Sequence, residues 1–386
     1  AEDGIRDFCL SRGLGDVYKR QDRYTDDIHY KGGCLLNENL GWGATMLSYS
    51  SRPPDPLIVG KKWKKMWLER LKSQPHLSDI WLKHQRRDKY WKHGSVCEDY
   101  SKLETPILAI GGWGDAYKNA VPELVKNAKA KGIIGPWVHK YPHFAVPKPQ
   151  IGFLQEAIRW WDRWLKEIDN GCETDPDYRV YVMKGEPPKS SYNFRDGYWI
   201  KEDRWPSKAS KNKKLYLRSN NVLSLSNKKN KCQLGVIDSP QHCGLKGGEY
   251  CAIWLGPELP GDQRLDDAFS LCFDTNDLIL EEDIVGSPEL TITLEANSPN
   301  GQLAVRLCDV FPDGKSSRIT YGILNLRFRE SFDSPKNISL GKEFTVKIKL
   351  DHIAYKLPKG NKLRLSLSNA YWPLVWPVNN PAKLLV

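Results

Sequence analysis

The chain has 386 residues and contains no apolar run near the length that spans a bilayer. It has no segment of signal-peptide type and no low-complexity tract. Its nine cysteines, from Cys9 to Cys308, are odd in number and form no CxxC pair. These absences exclude a membrane-helix protein and a disulfide scaffold, and they favour free thiols in a reducing cytoplasm. Cys232, His242, Cys243 and Cys251 are the only grouping that suggests metal ligands, and their spacing matches no zinc pattern, so no metal site is expected. Nucleic-acid-binding motifs are also missing. The net charge of +11 comes from lysines that are scattered or sit in loop-like runs, Lys208 to Lys214 and Lys228 to Lys231, which read as solvated surface.

What is present is a globular composition, 40% apolar and 27% charged, long enough for two or three domains. Residues 1–21 carry little periodicity and read as a non-native adapter scar or a disordered tail. Residues 22–100 read as a helical, aromatic region of the kind that caps an active site. Asp55-Pro56 is a helix start, Trp63, Met66, Trp67 and Leu71 recur at helical steps, and a second helix from Pro75 uses Leu77, Ile80 and Trp81.

Residues 101–173 read as an α/β segment. Two apolar runs, Pro106 to Ile110 and Ile133 to Ile134, predict buried strands, with a helix over Asn119 to Lys129 stopped by Gly132. A longer helix from Gln150 carries a stripe of Phe153, Leu154, Ala157, Ile158, Trp161, Trp164 and Leu165, expected to pack into the core and to end at Asn170-Gly171. From residue 174 to 386 the period falls to 2. Leu290, Ile292 and Leu294, then Leu303 to Leu307, Leu324 to Phe328, Phe344 to Leu350 and Leu363 to Leu367 predict strands separated by turns at Pro312-Asp313-Gly314 and Pro358-Lys359-Gly360. That pattern predicts an all-β sandwich of jelly-roll type.

The chemistry concentrates after the two α/β strands, in Gly111-Gly112-Trp113-Gly114-Asp115 and Gly135-Pro136-Trp137-Val138-His139. An acid after one parallel strand and a histidine after the next is the order in which an α/β-hydrolase presents its orienting carboxylate and its general base. His143 is the local competitor of His139. The nucleophile is missing, because no serine has glycines at both positions that a G-x-S-x-G elbow requires; Ser95 follows Gly94 alone.

Together with Asp22 to Gly33, Gly135 to Phe144, Gly152 to Leu165 and the run Asp309-Val310-Phe311-Pro312-Asp313-Gly314, these segments resemble the CocE/NonD (cocaine esterase-like) hydrolases, relatives of the X-Pro dipeptidyl-peptidases and the α-amino-acid ester hydrolases. The resemblance implies an α/β-hydrolase with a helical cap followed by a jelly-roll domain, and a serine hydrolase working through an acyl-enzyme with Asp115 and His139 as triad acid and base. It places the nucleophile and an oxyanion-hole tyrosine in an upstream half-sheet, so the chain is expected to be an inactive, N-terminally truncated fragment. No cofactor is implied. The expected partners are a small ester, amide or short peptide, with neither nucleic acid nor membrane, and a homo-oligomer is allowed. Asp26 and Asp27 are candidates for pairing with a substrate amine, and Trp42, Trp113 and Trp137 for lining an acyl pocket. A binding or assembly module built on the jelly roll, without catalysis, is the alternative. The distance between Asp115 and His139 separates the two readings.

Overall fold

A computed structural model of the chain describes residues 22–227, 233–253 and 256–386. The segment 1–21, the Lys228 to Lys231 run and Cys232 lie outside the described residues. Among the described residues no helix is long and apolar enough to cross a membrane.

The longer helices of the N-terminal layer are α1 (Glu38–Ser50), α2 (Trp63–Ser73) and α3 (Leu77–Lys83), with single helical turns at Pro56–Val59 and Lys89–Lys92. Asp55 does start a helix, its carboxylate accepting from the Leu57 N–H at 2.8 Å with Pro56 at the first position, but that turn ends at Val59. The aromatic stripe of α2 is not buried: none of its residues is enclosed, and Trp67 instead donates its indole N–H to the Ser51 carbonyl at 2.7 Å. Helix α3 buries Leu77 and Trp81, as its pattern predicts. Helix α1 was not anticipated.

The α/β segment forms strand β1 (Ile107–Gly112), helix α4 (Ala120–Asn127), strand β2 (Ala130–Gly135), helix α5 (Phe153–Lys166) and strand β3 (Tyr178–Lys184). β1 and β2 pair in parallel with Ile107 opposite Ala130 and Gly112 opposite Gly135. Gly132 therefore sits inside β2 and does not stop α4. The ladder draws the chain into extended backbone at Ala128, two residues earlier than the strand itself. β3 pairs in parallel with β2 and in antiparallel with β4 (Gly197–Glu202).

Helix α5 ends sooner than its sequence suggests. Glu167 takes the left-handed conformation (φ 60°), and Ile168 closes the turn onto the Asp162 carbonyl. Its stripe is also not core. Only Ala157 is buried, while Leu154, Ile158 and Leu165 remain 50%, 54% and 73% exposed. The helix is held to β3 by its polar side, through a two-pronged pair between Glu156 and Arg179 at 2.7 and 2.8 Å.

The C-terminal part supplies β5 (Leu271–Asp274), β6 (Glu282–Gly286), β7 (Glu289–Ala296), β8 (Gln302–Val310), β9 (Ser316–Asn325), β10 (Phe344–Lys349), β11 (Ile353–Leu357) and β12 (Lys362–Ser368). β9, β8, β12 and β5 are neighbours in one sheet, extended by Val222–Ser224 and Tyr216–Arg218. β10 and β7 continue into Leu384–Leu385 and Val236–Ile237 in a second. β7 alternates buried and open residues as its sequence does, and β8, in the middle of its sheet, is buried along its whole length. The expected strand over Leu324 to Phe328 stops at Asn325, whose side chain accepts from the Arg327 N–H and starts a helical turn over Leu326–Phe328.

The change of period at residue 174 is not a change of sheet. β11 lies beside β3 in parallel, with β6 outside it, so the sheet that carries β1 and β2 runs on into strands from the C-terminal part. A second junction lies above: Ile28, Cys34 and Leu36, then Ala116 and Tyr117 just after Asp115, pack on Ala304, Tyr321 and Ile323 of β8 and β9. That cluster fixes the strand-exit loops against the β sheets.

Candidate active site

Asp115 and His139 emerge from neighbouring parallel strands, and the loops that carry them are tied together by backbone. Trp113 N–H donates to the Gly135 carbonyl and Gly114 N–H to the Trp137 carbonyl, each at 2.9 Å. Gly112 has to be glycine for this closeness. A Cβ there would lie 2.1 Å from the Trp137 oxygen.

Within this frame His139 Nδ1 is 2.9 Å from Asp115 Oδ2, and the other carboxylate oxygen of Asp115 accepts from the Tyr117 N–H at 2.9 Å. The carboxylate is therefore held at both ends. With Nδ1 carrying the proton donated to Asp115, Nε2 is left as the basic nitrogen. Asp115 is 5% exposed, whereas the imidazole is partly open. The loop of His139 is latched from outside the α/β segment, its N–H donating to the Ala252 carbonyl at 2.9 Å. The Tyr117 ring lies 5.7 Å from the imidazole, and burial, with the charges of Asp27, Cys251 and Asp115 nearby, pushes its phenol far above the usual range.

The remaining candidates are placed as follows. Asp27 lies beside Tyr117, and Tyr250 donates its hydroxyl to the Asp27 carbonyl at 2.9 Å. Asp26 belongs to a buried network: its carboxylate accepts from Asn119 at 2.7 Å, Asn119 also donates to Asp351, and Lys31 pairs with Asp351 at 2.5 Å. Burial raises the Asp26 carboxyl against the pull of Lys31, although the residue is less enclosed than Asp27. Trp113 and Trp137 are buried, donating their indole N–H groups to the Tyr181 and Pro149 carbonyls at 2.7 and 2.8 Å, so both pack the loops. Trp42 lies between the cluster beneath Tyr117 and the one beneath α1 and α3.

His143 stacks on Phe153 with centroids 5.6 Å apart. Two further histidines have acid partners, His84 on Asp88 at 2.6 Å and His352 on Glu123 at 3.1 Å, but His84 follows a helix and His352 precedes a strand, so neither stands at a strand exit. Ser95 is buried, donating to the Trp91 carbonyl at 2.6 Å and accepting from the Arg23 N–H. One neighbour comes from a grouping that the sequence associates with different residues. Cys251 brings its sulfur within 4.8 Å of ligand atoms of both Asp115 and His139.

The profile of the X-Pro dipeptidyl-peptidase C-terminal non-catalytic domain matches residues 170–386, and that of the X-Pro dipeptidyl-peptidase (S15 family) matches residues 18–141. The chain therefore belongs to the X-Pro dipeptidyl-peptidase family and its CocE/NonD, cocaine esterase-like hydrolases. Cocaine esterase of Rhodococcus sp. (strain MB1 Bresler) is 22% identical over 325 residues, which make up 78% of this chain and 54% of the esterase. The chain thus spans about half the length of that curated relative.

In three dimensions it is similar to a selenomethionine-labelled α-amino acid ester hydrolase (TM-score 0.72, 17% identity), covering 95% of this chain and 69% of that one. An aminopeptidase of a marine sediment Thaumarchaeota archaeon (TM-score 0.69, 15% identity) covers 95% and 68%. A CocE/NonD family hydrolase of Staphylococcus aureus (TM-score 0.65, 14% identity) covers 96% and 63%. The fold is thereby an α/β-hydrolase type with a C-terminal β domain.

Proposed function

We propose that this chain carries the acid and base of a serine hydrolase that cleaves esters, amides or X-Pro peptides through an acyl-enzyme. The observation that carries the proposal is the 2.9 Å contact between His139 Nδ1 and Asp115 Oδ2, with the second carboxylate oxygen held by Tyr117 N–H. A non-catalytic module has no reason to build that arrangement at two strand exits.

In the complete enzyme a serine hydroxyl, supplied by the part of the relatives that this chain does not span, loses its proton to His139 Nε2 as its oxygen attacks the carbonyl. Asp115 keeps Nδ1–H oriented and stabilises the imidazolium. The imidazolium then gives the proton to the leaving alcohol or amine, leaving an acyl-serine. Water, deprotonated by the same nitrogen, frees the acid and restores the hydroxyl. This chemistry draws on no cofactor. Of the two aspartates offered to a substrate ammonium, Asp26 is the more open, since Asp27 is buried with its carboxylate accepting from the Ile28 N–H at 2.7 Å. Residues 22–100 act as the cap, 101–173 as the end of the hydrolase segment and 174–386 as a jelly roll that shapes the pocket. A reducing cytoplasm suits the seven described cysteines, which form no disulfide.

In the full-length enzyme, Asp115→Asn should lower kcat/KM by about four orders of magnitude, and His139→Ala by at least about a thousandfold. An unchanged rate in either variant ends the assignment. The 386-residue chain alone should take up no fluorophosphonate. Stoichiometric labelling would show that its nucleophile lies within it.

A further inference from the structure

We infer that Asp115, His139 and Cys251 form a site for a soft divalent cation of the zinc class, superimposed on the acid and base themselves. A carboxylate oxygen, an imidazole nitrogen and a thiol sulfur all lie within 4.8 Å of one another. The three come from separate segments: the loop after β1, the loop after β2, and the stretch between β4 and β5. Their convergence is therefore a product of the fold and not of local spacing.

The donor chemistry selects the ion. One thiolate, one imidazole and one carboxylate are ligands of Zn²⁺ and its softer analogue Cd²⁺, with the fourth position open, whereas Mg²⁺ and Ca²⁺ prefer all-oxygen sites. Metal–ligand bonds of about 2.0–2.3 Å in a tetrahedron put donor atoms roughly 3.3–3.8 Å apart, so closure asks for side-chain shifts on the order of an ångström. The scaffold favours that closure. Asp115 is anchored through Oδ1 by Tyr117 N–H, which leaves Oδ2 for the cluster. His139 N–H is bonded to the carbonyl of Ala252, the residue after Cys251, so backbone pins the thiol beside the imidazole.

Binding sends the thiol proton to solvent and engages one ring nitrogen. Whichever nitrogen binds, the imidazole can no longer donate from Nδ1 to Asp115 while accepting a proton at Nε2. An occupied site is therefore a silenced base. The inference requires neither the serine nor any turnover, and it stands or falls apart from the hydrolase reading.

The test uses the whole chain as it is. Cd²⁺ titrated into it should produce an ultraviolet thiolate-to-cadmium charge-transfer band that saturates, and Zn²⁺ should displace it. Cys251→Ser should remove one equivalent of that band with circular dichroism unchanged, and His139→Ala should weaken binding at least tenfold. In the unsubstituted chain, Zn²⁺ should slow iodoacetamide alkylation of Cys251 at least tenfold by peptide mass spectrometry and leave Cys97 unaffected. The inference is overturned if the band survives Cys251→Ser in full, if His139→Ala binds Cd²⁺ as tightly as the parent chain, or if Zn²⁺ leaves the alkylation of Cys251 unchanged.

Discussion

The β sheets of the C-terminal part and the helix α5 of the α/β segment carry equally clear apolar patterns and meet opposite fates. Leu290, Ile292 and Leu294 of β7 and the whole of β8 are buried between two sheets that the same chain provides. Leu154, Ile158 and Leu165 of α5 lie open, and β1 is the last strand of its sheet, paired on one side only among the described residues. The difference teaches that periodicity says which side of an element is apolar. It does not say whether a partner for that side is part of the same folded unit.

The sharpest contrast is between leucines. Leu367→Ala, in the middle of the covered sheet, should cost about 2–5 kcal/mol in urea unfolding, whereas Leu165→Ala on α5 should stay within about 0.5 kcal/mol. Equal costs would mean that α5 is covered in solution.

Next is pH. Asp309, the first residue of the motif on β8, is enclosed and accepts from Tyr355 at 2.9 Å and Asn361 at 2.6 Å, yet burial lifts its carboxyl to about 6. The folded state therefore prefers the protonated form, and this contribution is present below the usual carboxylate value and lost as pH rises through about 6. Relative to Asp309→Asn, the parent should lose on the order of 1–3 kcal/mol between pH 4 and 7, read from paired unfolding curves. A constant difference between the two would mean that the carboxyl is not desolvated.

Asp351 has the opposite sign. Burial acts against it, but Lys31 and Lys118 hold its carboxyl down to about 2, so its support is present above the usual value and fades as pH falls towards 2. Acid unfolding should start at higher pH in Asp351→Asn than in the parent. The smallest effect concerns the uncovered face itself. Leu165→Lys should reduce self-association in sedimentation velocity while leaving the unfolding midpoint nearly unchanged, and an unaltered sedimentation profile would remove α5 from any contact between copies.

The loops of Asp115 and His139 were legible because each strand is an apolar run cut off by glycine, and because the order of acid then histidine is a pattern of types and positions. Helix α1 was not, since Glu38–Ser50 carries two glycines and no continuous stripe. Gly43 answers to packing, as a Cβ there would come within 1.9 Å of the Ser78 hydroxyl. Cys251 is legible in the sequence only beside Cys232, His242 and Cys243, not beside Asp115 and His139. Its nearness to His139 depends on how the C-terminal part folds back, which no local spacing encodes. The stripe of α5 is amphipathic as its sequence says but is not core, because burial depends on what faces it, and the same holds for the open stripe of α2.

The bond from His139 N–H to the Ala252 carbonyl gives the β part a direct hold on the loop that carries His139. The amide of His139 is satisfied by a residue contributed from the other half of the molecule. Any recombination that exchanged that half would have to deliver a carbonyl to the same spot, or leave the histidine loop to wander. Inheritance of the two parts as a pair is then a matter of one peptide group as much as of a shared core.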